Sequence, residues 1–262
     1  MMSRYPAANI CIYCRALVNS PHAPTERLSD EHVIPMGIGG NLILPRASCK
    51  KCADITSGIE TRCIQKLFDP GRTHAGVRTR AKLNRKILSV KTGRDGALKK
   101  VLTLDHPGTI TMFKFNVATE ITNIANNSKF EGNPMLIPVV PDFKERVRRV
   151  GGLNHIIGGG ISFVLFGRFL AKIAHAYASA EIGLDSFVPY LPMIIIGDPP
   201  YDNLLGQYVG SGLIDEIKDQ GDHEIRITSR TSPLGKKLIV VRLRLFSQFS
   251  PPTYYIGAGI LR

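Results

Sequence analysis

Tryptophan is missing from this 262-residue chain, and aromatic residues make up only 7% of it. No uninterrupted apolar run reaches the roughly 18 residues that a membrane-spanning helix needs. The nearest, residues 156–170, is broken by glycines and by Arg168. Residues 1–9 are short of apolar character and hold no secretory core, which leads to the expectation of a cytoplasmic protein with reduced cysteines. The glycine-rich stretch 151–160 lacks a Gly-Lys-Ser/Thr ending, so it does not read as a phosphate-binding loop. There is no internal repeat and no low-complexity tract. At 44% hydrophobic residues the chain is rich enough to fold around a core, so wholesale disorder is excluded.

Negative charge is also scarce, and unevenly so. The formal net charge is +13. Residues 1–100 hold 18 Lys and Arg against 7 Asp and Glu, a net of +11. Residues 101–262 hold 16 against 14, a net of +2. A field concentrated in this way suits a polyanionic partner. Between residues 72 and 100 the cations Arg72, Arg78, Arg80, Lys82, Arg85, Lys86, Lys91, Arg94, Lys99 and Lys100 alternate with Thr, Ala, Leu and Ile. Stacking aromatics are not interleaved among them, which favours contact with a duplex backbone over single-strand binding. Such contacts position a nucleic acid without reading its sequence.

Four of the five cysteines form two pairs of identical spacing, Cys11-x-x-Cys14 and Cys49-x-x-Cys52, with 34 residues between them. Each pair can hold a metal from one tight turn, and together they supply the four thiolates of a structural zinc. A small hairpin gains on the order of 10 kcal/mol from such a site. Cys63 falls on the apolar side of the following helix and reads as a core thiol. Within the gap lie Asp30-Glu31-His32-Val33-Ile34-Pro35 and Gly39-Gly40-Asn41-Leu42.

Cys-x-x-Cys, Glu-His-x-x-Pro, Gly-Gly-Asn-Leu and Cys-x-x-Cys in this order resemble the HNH endonucleases, the ββα-metal nucleases with a zinc ribbon. The resemblance covers residues 11–68. It implies that His32 is the general base that activates water against a phosphodiester, and that Glu31 binds a divalent ion, Mg2+ or Mn2+. It also implies that Asn41 orients the catalytic histidine. Imidazole titrates near neutrality and suits that proton transfer. The family places His or Asn directly after the last cysteine as a further metal ligand, whereas this chain has Ala53. Asp54, one residue on, could supply a carboxylate instead. Two functions follow: a metal-dependent endonuclease acting on DNA, or a zinc-dependent nucleic-acid-binding protein whose catalytic site has decayed. RNA is an alternative substrate.

The expected fold is α+β: a zinc-stapled ββα-metal module over 1–70, a basic linker or hairpin over 71–115, and an α+β domain over 116–262. Alternation points to a strand over 28–34, a return strand over 42–44, and a helix over 53–68 stopped by Asp69-Pro70-Gly71. Residues 86–92 and 97–104 flank Gly93-Arg94-Asp95-Gly96 as a hairpin, with 109–115 as a third strand. Residues 134–141 have strand-like apolar residues. The strongest helix outside the motif is 162–182, closed by Gly183. It carries His175, which reads as a packed core residue. Late strands fall over 224–228, 237–246 and 253–260.

Overall fold

The computed structural model describes residues 3–16, 27–77, 87–92, 97–122, 130–152, 162–197, 202–212, 222–231 and 235–262. The first sheet joins β1 (Ser3–Arg4), β2 (Ser29–His32) and β3 (Leu42–Ser48), in the order β1-β3-β2. β2 and β3 are antiparallel, with Glu31 opposite Leu44 and His32 opposite Ile43. Their connection contains a 3-10 turn over Met36–Ile38. Gly39 closes that turn at φ 96°, a conformation that side chains resist. Gly40 presses on the backbone so closely that a Cβ would sit 1.9 Å from the Ile34 carbonyl oxygen. The two adjacent glycines therefore meet two separate steric demands.

Helix α1 (Lys50–Cys63) follows at once. Its buried residues Cys52, Thr56, Ile59 and Cys63 recur at intervals of four and three and form one stripe. The expected stop at Asp69-Pro70-Gly71 is not observed. Residues Ile64–Phe68 form a π-helical turn that leads into α2 (Asp69–His74), with Pro70 in the first turn of the new segment. Proline is tolerated there because its missing N–H is not needed. Gly71 then lets α2 lie against the next sheet, since a Cβ would fall 2.2 Å from Ile110.

Strands β4 (Ile87–Thr92) and β5 (Ala97–Leu102) form the expected antiparallel hairpin, while its turn 93–96 lies outside the described residues. β6 (Thr109–Phe115) does not join that hairpin as a third strand. It pairs with β7 (Gly132–Pro138). Helix α3 (Thr119–Thr122) falls between these two strands in sequence, and α4 (Phe143–Val150) follows them. Residues 153–161, most of the glycine-rich stretch, lie outside the described residues.

The central helix is α5 (Phe163–Ile182). The Ser162 side chain caps it by accepting the Leu165 N–H at 3.2 Å, and Gly183 follows at φ 82°. It is buried around nearly its whole girth, which explains its apolar composition. The chain continues through β8 (Phe187–Pro189), α6 (Pro192–Ile196), α7 (Asp202–Tyr208), β9 (Val209–Ser211), β10 (His223–Thr231), β11 (Lys237–Leu245) and β12 (Tyr254–Leu261). The order β10-β11-β12-β8, with β9 also on β12, makes an antiparallel sheet of five strands. Its inner face sends Ile239, Val241, Leu243, Leu245, Tyr254 and Ile256 into the main core. Its outer face carries Leu238 and Val240 against Ala118 and Ile121.

The core crosses the boundaries expected at residues 70 and 115. One buried cluster runs from Cys11 in the hairpin to Ala258 in the last strand. Phe68, at the end of the hairpin's helix, meets Phe166, Phe169 and Phe246 at ring-centroid distances of 6.3, 5.8 and 5.5 Å. Among the described residues, no helix is long and apolar enough to cross a membrane.

His106 ties β4 to the start of β6. Its Nδ1 accepts the Gly108 N–H at 2.9 Å, and its Nε2 meets the Ser89 carbonyl at 3.3 Å. Burial brings its pKa down to about 4, so the folded state favours the neutral ring. A depressed histidine contributes stability that is complete above its unfolded value of about 6.5 and is lost as pH falls towards the folded value. The loss from this residue is about 1.4 kcal/mol per pH unit within that window. Denaturant midpoints measured from pH 7.5 to 4.5 are expected to fall less steeply for His106→Gln, by one proton's worth of slope.

Candidate metal centre and the clamped hairpin

The Sγ atoms of Cys11, Cys14, Cys49 and Cys52 all lie within 4.8 Å of one another. Cys14 and Cys49 are 3.7 Å apart, and all five cysteines are free thiols. A tetrahedral zinc with Zn–S bonds of 2.3 Å spaces its sulfurs by about 3.8 Å. The four donors therefore fit one ion with little adjustment. The first pair sits in a tight turn closed by Arg15 N–H to the Cys11 carbonyl at 2.9 Å, with Arg15 at φ 63°. Ile12 N–H bonds to the Ala47 carbonyl at 2.8 Å, fixing that turn to the end of β3. The second pair occupies the N-cap and first turn of α1. The Cys52–Cys11 hydrogen bond lowers the Cys11 thiol and raises that of Cys52, so Cys11 is the one of the pair that gives up its proton first. The thiolate is the form that binds metal. Cys63 stands apart in the core, and burial pushes its pKa up.

Glu31 and His32 point to opposite sides of β2, as successive strand residues must. The register irregularity lies before them, between Ser29 and Glu31, and both residues pair in regular succession, with Leu44 and Ile43. Glu31 is 5% exposed and pairs with Lys172 of α5 at 2.6 Å. Lys172 has no exposed surface and also pairs with Glu60 of α1 at 2.5 Å. Burial is the largest influence on Glu31 and pushes it up, against the pull of Lys172. Burial alone would push Lys172 down, but the two carboxylates outweigh it and hold its pKa above the ordinary value. Glu31 is thus engaged as an anion partner inside the protein and does not fit as a ligand of an exchangeable cation.

The other expected residues are more open. His32 is half-buried at the end of β2. Asn41 is exposed just before β3, two residues before the strand partner of His32, and its carbonyl accepts the Ser3 N–H at 2.9 Å. Asp54 is exposed on α1 and pairs with Lys50 at 2.5 Å. Such a surface pair adds little stability and is readily exchanged. Asp30 pairs with Arg4 at 3.2 Å. Among the described residues, the four cysteines are the one group of three or more His, Cys, Asp or Glu gathered closely enough for a metal ion.

Composition and spacing did not reveal what holds the hairpin in place. Four side chains from outside it donate to its backbone carbonyls. Lys172 donates to His32. His175, one turn along α5, meets the Ile12 carbonyl at 2.7 Å and packs on Tyr13 at 5.4 Å. Arg72 of α2 donates to Gly37 at 2.9 Å while paired with Asp69 at 2.7 Å. His223 of β10 meets Ile38 at 2.7 Å. The His223 Nδ1 accepts the Phe246 N–H at 3.1 Å, so its proton sits on Nε2, and burial lowers its pKa. The one available signal was Lys172 and His175 at a spacing of three in the apolar middle of this helix, between Arg168 and Glu181.

Arg72 is therefore a buried structural residue and not one of the phosphate contacts expected from the basic tract. Lys99 and Lys100 are exposed. Arg78, Arg80, Lys82, Arg85, Lys86 and Arg94, with the side chain of Lys91, lie outside the described residues.

No protein-family model matches the chain, and neither does any curated protein or solved structure.

Lys172→Met would leave Glu31 and Glu60 as uncompensated charges. Removing one partner of a buried pair costs about 3–5 kcal/mol. Urea unfolding is expected to show that loss, and the triple variant Glu31→Gln, Glu60→Gln, Lys172→Met to recover most of it.

Proposed function

We propose that this chain is a nucleic-acid-directed protein of the HNH type, in which zinc on Cys11, Cys14, Cys49 and Cys52 fixes a hairpin that presents His32 to a phosphodiester of DNA. The observation that carries the reading is the convergence of the four sulfurs at the junction of two antiparallel strands and a helix, with His32 at the end of one strand and Asn41 just before the other. In this reading zinc supplies shape and no chemistry. His32 takes the proton from the attacking water, and Asn41 helps to set its orientation. The excess of cations in residues 1–100 attracts a polyanion to the chain.

Glu31 has no part in the reaction as proposed, because its carboxylate is committed to Lys172. Of the two acidic residues expected to hold Mg2+ or Mn2+, Asp54 alone is accessible to a cation from solvent. The same ion pair, together with Ala53, favours a second reading: a zinc-stapled protein that binds nucleic acid without cleaving it. RNA in place of DNA belongs to either reading.

Metal analysis of purified protein is expected to find one zinc per chain. Cys49→Ser should lose it and lower the melting temperature. A finding of no bound metal in freshly prepared, reduced protein would remove the basis of both readings. In plasmid nicking with Mg2+ or Mn2+, wild-type protein should convert supercoiled to open circles. His32→Ala should reduce the rate at least ~100-fold, in line with the loss of a general base, while retaining zinc and DNA binding. DNA binding without nicking in the wild type would select the second reading.

A further inference from the structure

The outer face of the five-stranded sheet holds a charge cluster that neither the hairpin nor its metal uses. Arg242 and Arg244 alternate onto this face of β11. Arg226 stands opposite Arg242 on β10, and Glu224 stands opposite Arg244. Among the described residues the cluster brings together three guanidinium groups and one carboxylate. The carboxylate does not go to its facing neighbour. Glu224 bonds to Arg242 at 2.8 Å and to Arg226 at 3.5 Å.

Arg244 is left in an unusual position. It has no exposed surface, yet its Nε and both terminal nitrogens meet no hydrogen-bond acceptor among the described residues. Thr253 immediately precedes Tyr254, whose partner across the ladder is Leu243, so one further step of that register would face it with Arg244. It is 1% exposed, and its hydroxyl likewise finds no partner among the described residues. An ionised guanidinium removed from water without an acceptor is among the most expensive arrangements a fold can contain. A buried hydroxyl beside it adds a second unsatisfied donor. Exposure rises along the cluster: the side chains of Arg244, Arg242 and Arg226 run from enclosed, through 18% exposed, to 60% exposed. The arrangement is an enclosed row of donors that opens towards the surface.

We infer that Arg244, Thr253 and Arg242 form a binding site for a small tetrahedral oxyanion of the phosphate class. A planar guanidinium donates two parallel hydrogen bonds to such a group, and a hydroxyl can satisfy a third oxygen. Glu224 has a defined part in the site. By holding Arg242 and Arg226 it leaves Arg244 as the group awaiting an acceptor. The enclosure of Arg244 selects a free anion over a phosphate within a nucleic-acid backbone. The site is separate from the hairpin and does not depend on the nuclease reading.

The test is thermal unfolding of the full chain against inorganic phosphate, with sodium chloride used to match ionic strength. Wild-type protein is expected to show a saturable rise, on the order of 5 °C at roughly a hundredfold excess over the dissociation constant. Arg244→Met should lose the saturable response and, without phosphate, melt at or above the wild-type temperature, since it removes an unpaired buried charge. If Arg244→Met does not fold, Thr253→Val keeps the side-chain shape and should weaken phosphate binding several-fold. A phosphate response that is linear, or equal in wild type and both variants, would reduce the effect to general screening of a basic protein and overturn the site. So would the absence of any response in the wild-type protein. A DNA duplex in place of phosphate separates the two sources of the anion. Unchanged DNA affinity in Arg244→Met supports a free anion, and a large loss overturns it in favour of a backbone phosphate.

Discussion

A lysine ammonium with no exposed surface, held between Glu31 of a strand and Glu60 of a helix, is the constraint around which the hairpin is arranged. The two carboxylates belong to the hairpin and its helix, and the ammonium belongs to α5. Their attraction acts in a setting where water cannot screen it, and its loss would strand charge in the core. The third proton of the ammonium goes to the His32 carbonyl. The backbone at the proposed catalytic residue is thus set by the same group that joins the two halves of the molecule. The ion pair supplies position as much as attraction.

The same logic recurs around the loop. A hairpin of two short strands is marginal in water. Here one end is gathered by four sulfurs, while the carbonyls along the rest receive N–H groups from Arg72, His175 and His223. Each donor comes from a different packed element or turn and is itself fixed, Arg72 by Asp69 and His223 by the Phe246 N–H. Carbonyls that would otherwise need solvent or a regular sheet are satisfied by side chains. The irregular loop with its 3-10 turn and paired glycines can keep one shape for this reason.

What the sequence disclosed depended on how local the cause was. The cysteine pairs, the closure of α5 at Gly183 and the β4–β5 hairpin all follow from residues near one another, and all are legible. The run through Asp69-Pro70-Gly71 was not, because a π-turn and a contact with Ile110 outweigh the usual force of proline and glycine as breakers. Glu31 shows the limit most clearly. Its motif neighbours suggest a metal ligand, but its partner lies 141 positions further along the chain, and local spacing carries no information about that separation. Packing across the boundary expected at residue 70 was hidden for a similar reason. Phe68 looked like the end of a helix and is in fact the entry to an aromatic cluster shared with α5 and the residue after β11.

That placement of Phe68 bears on how such a protein can diversify. A zinc-bound motif with its own small core can be excised, duplicated or grafted by recombination, because few contacts cross its edges. Here the ring at the seam is wholly interior and faces aromatic neighbours far along the chain. A crossover after the cysteine motif would tear that interior open on both sides. Parting the hairpin from the helix and sheet beneath it would expose the Phe68 ring, and a change of size at Phe166, Phe169 or Phe246 would alter the space it fills.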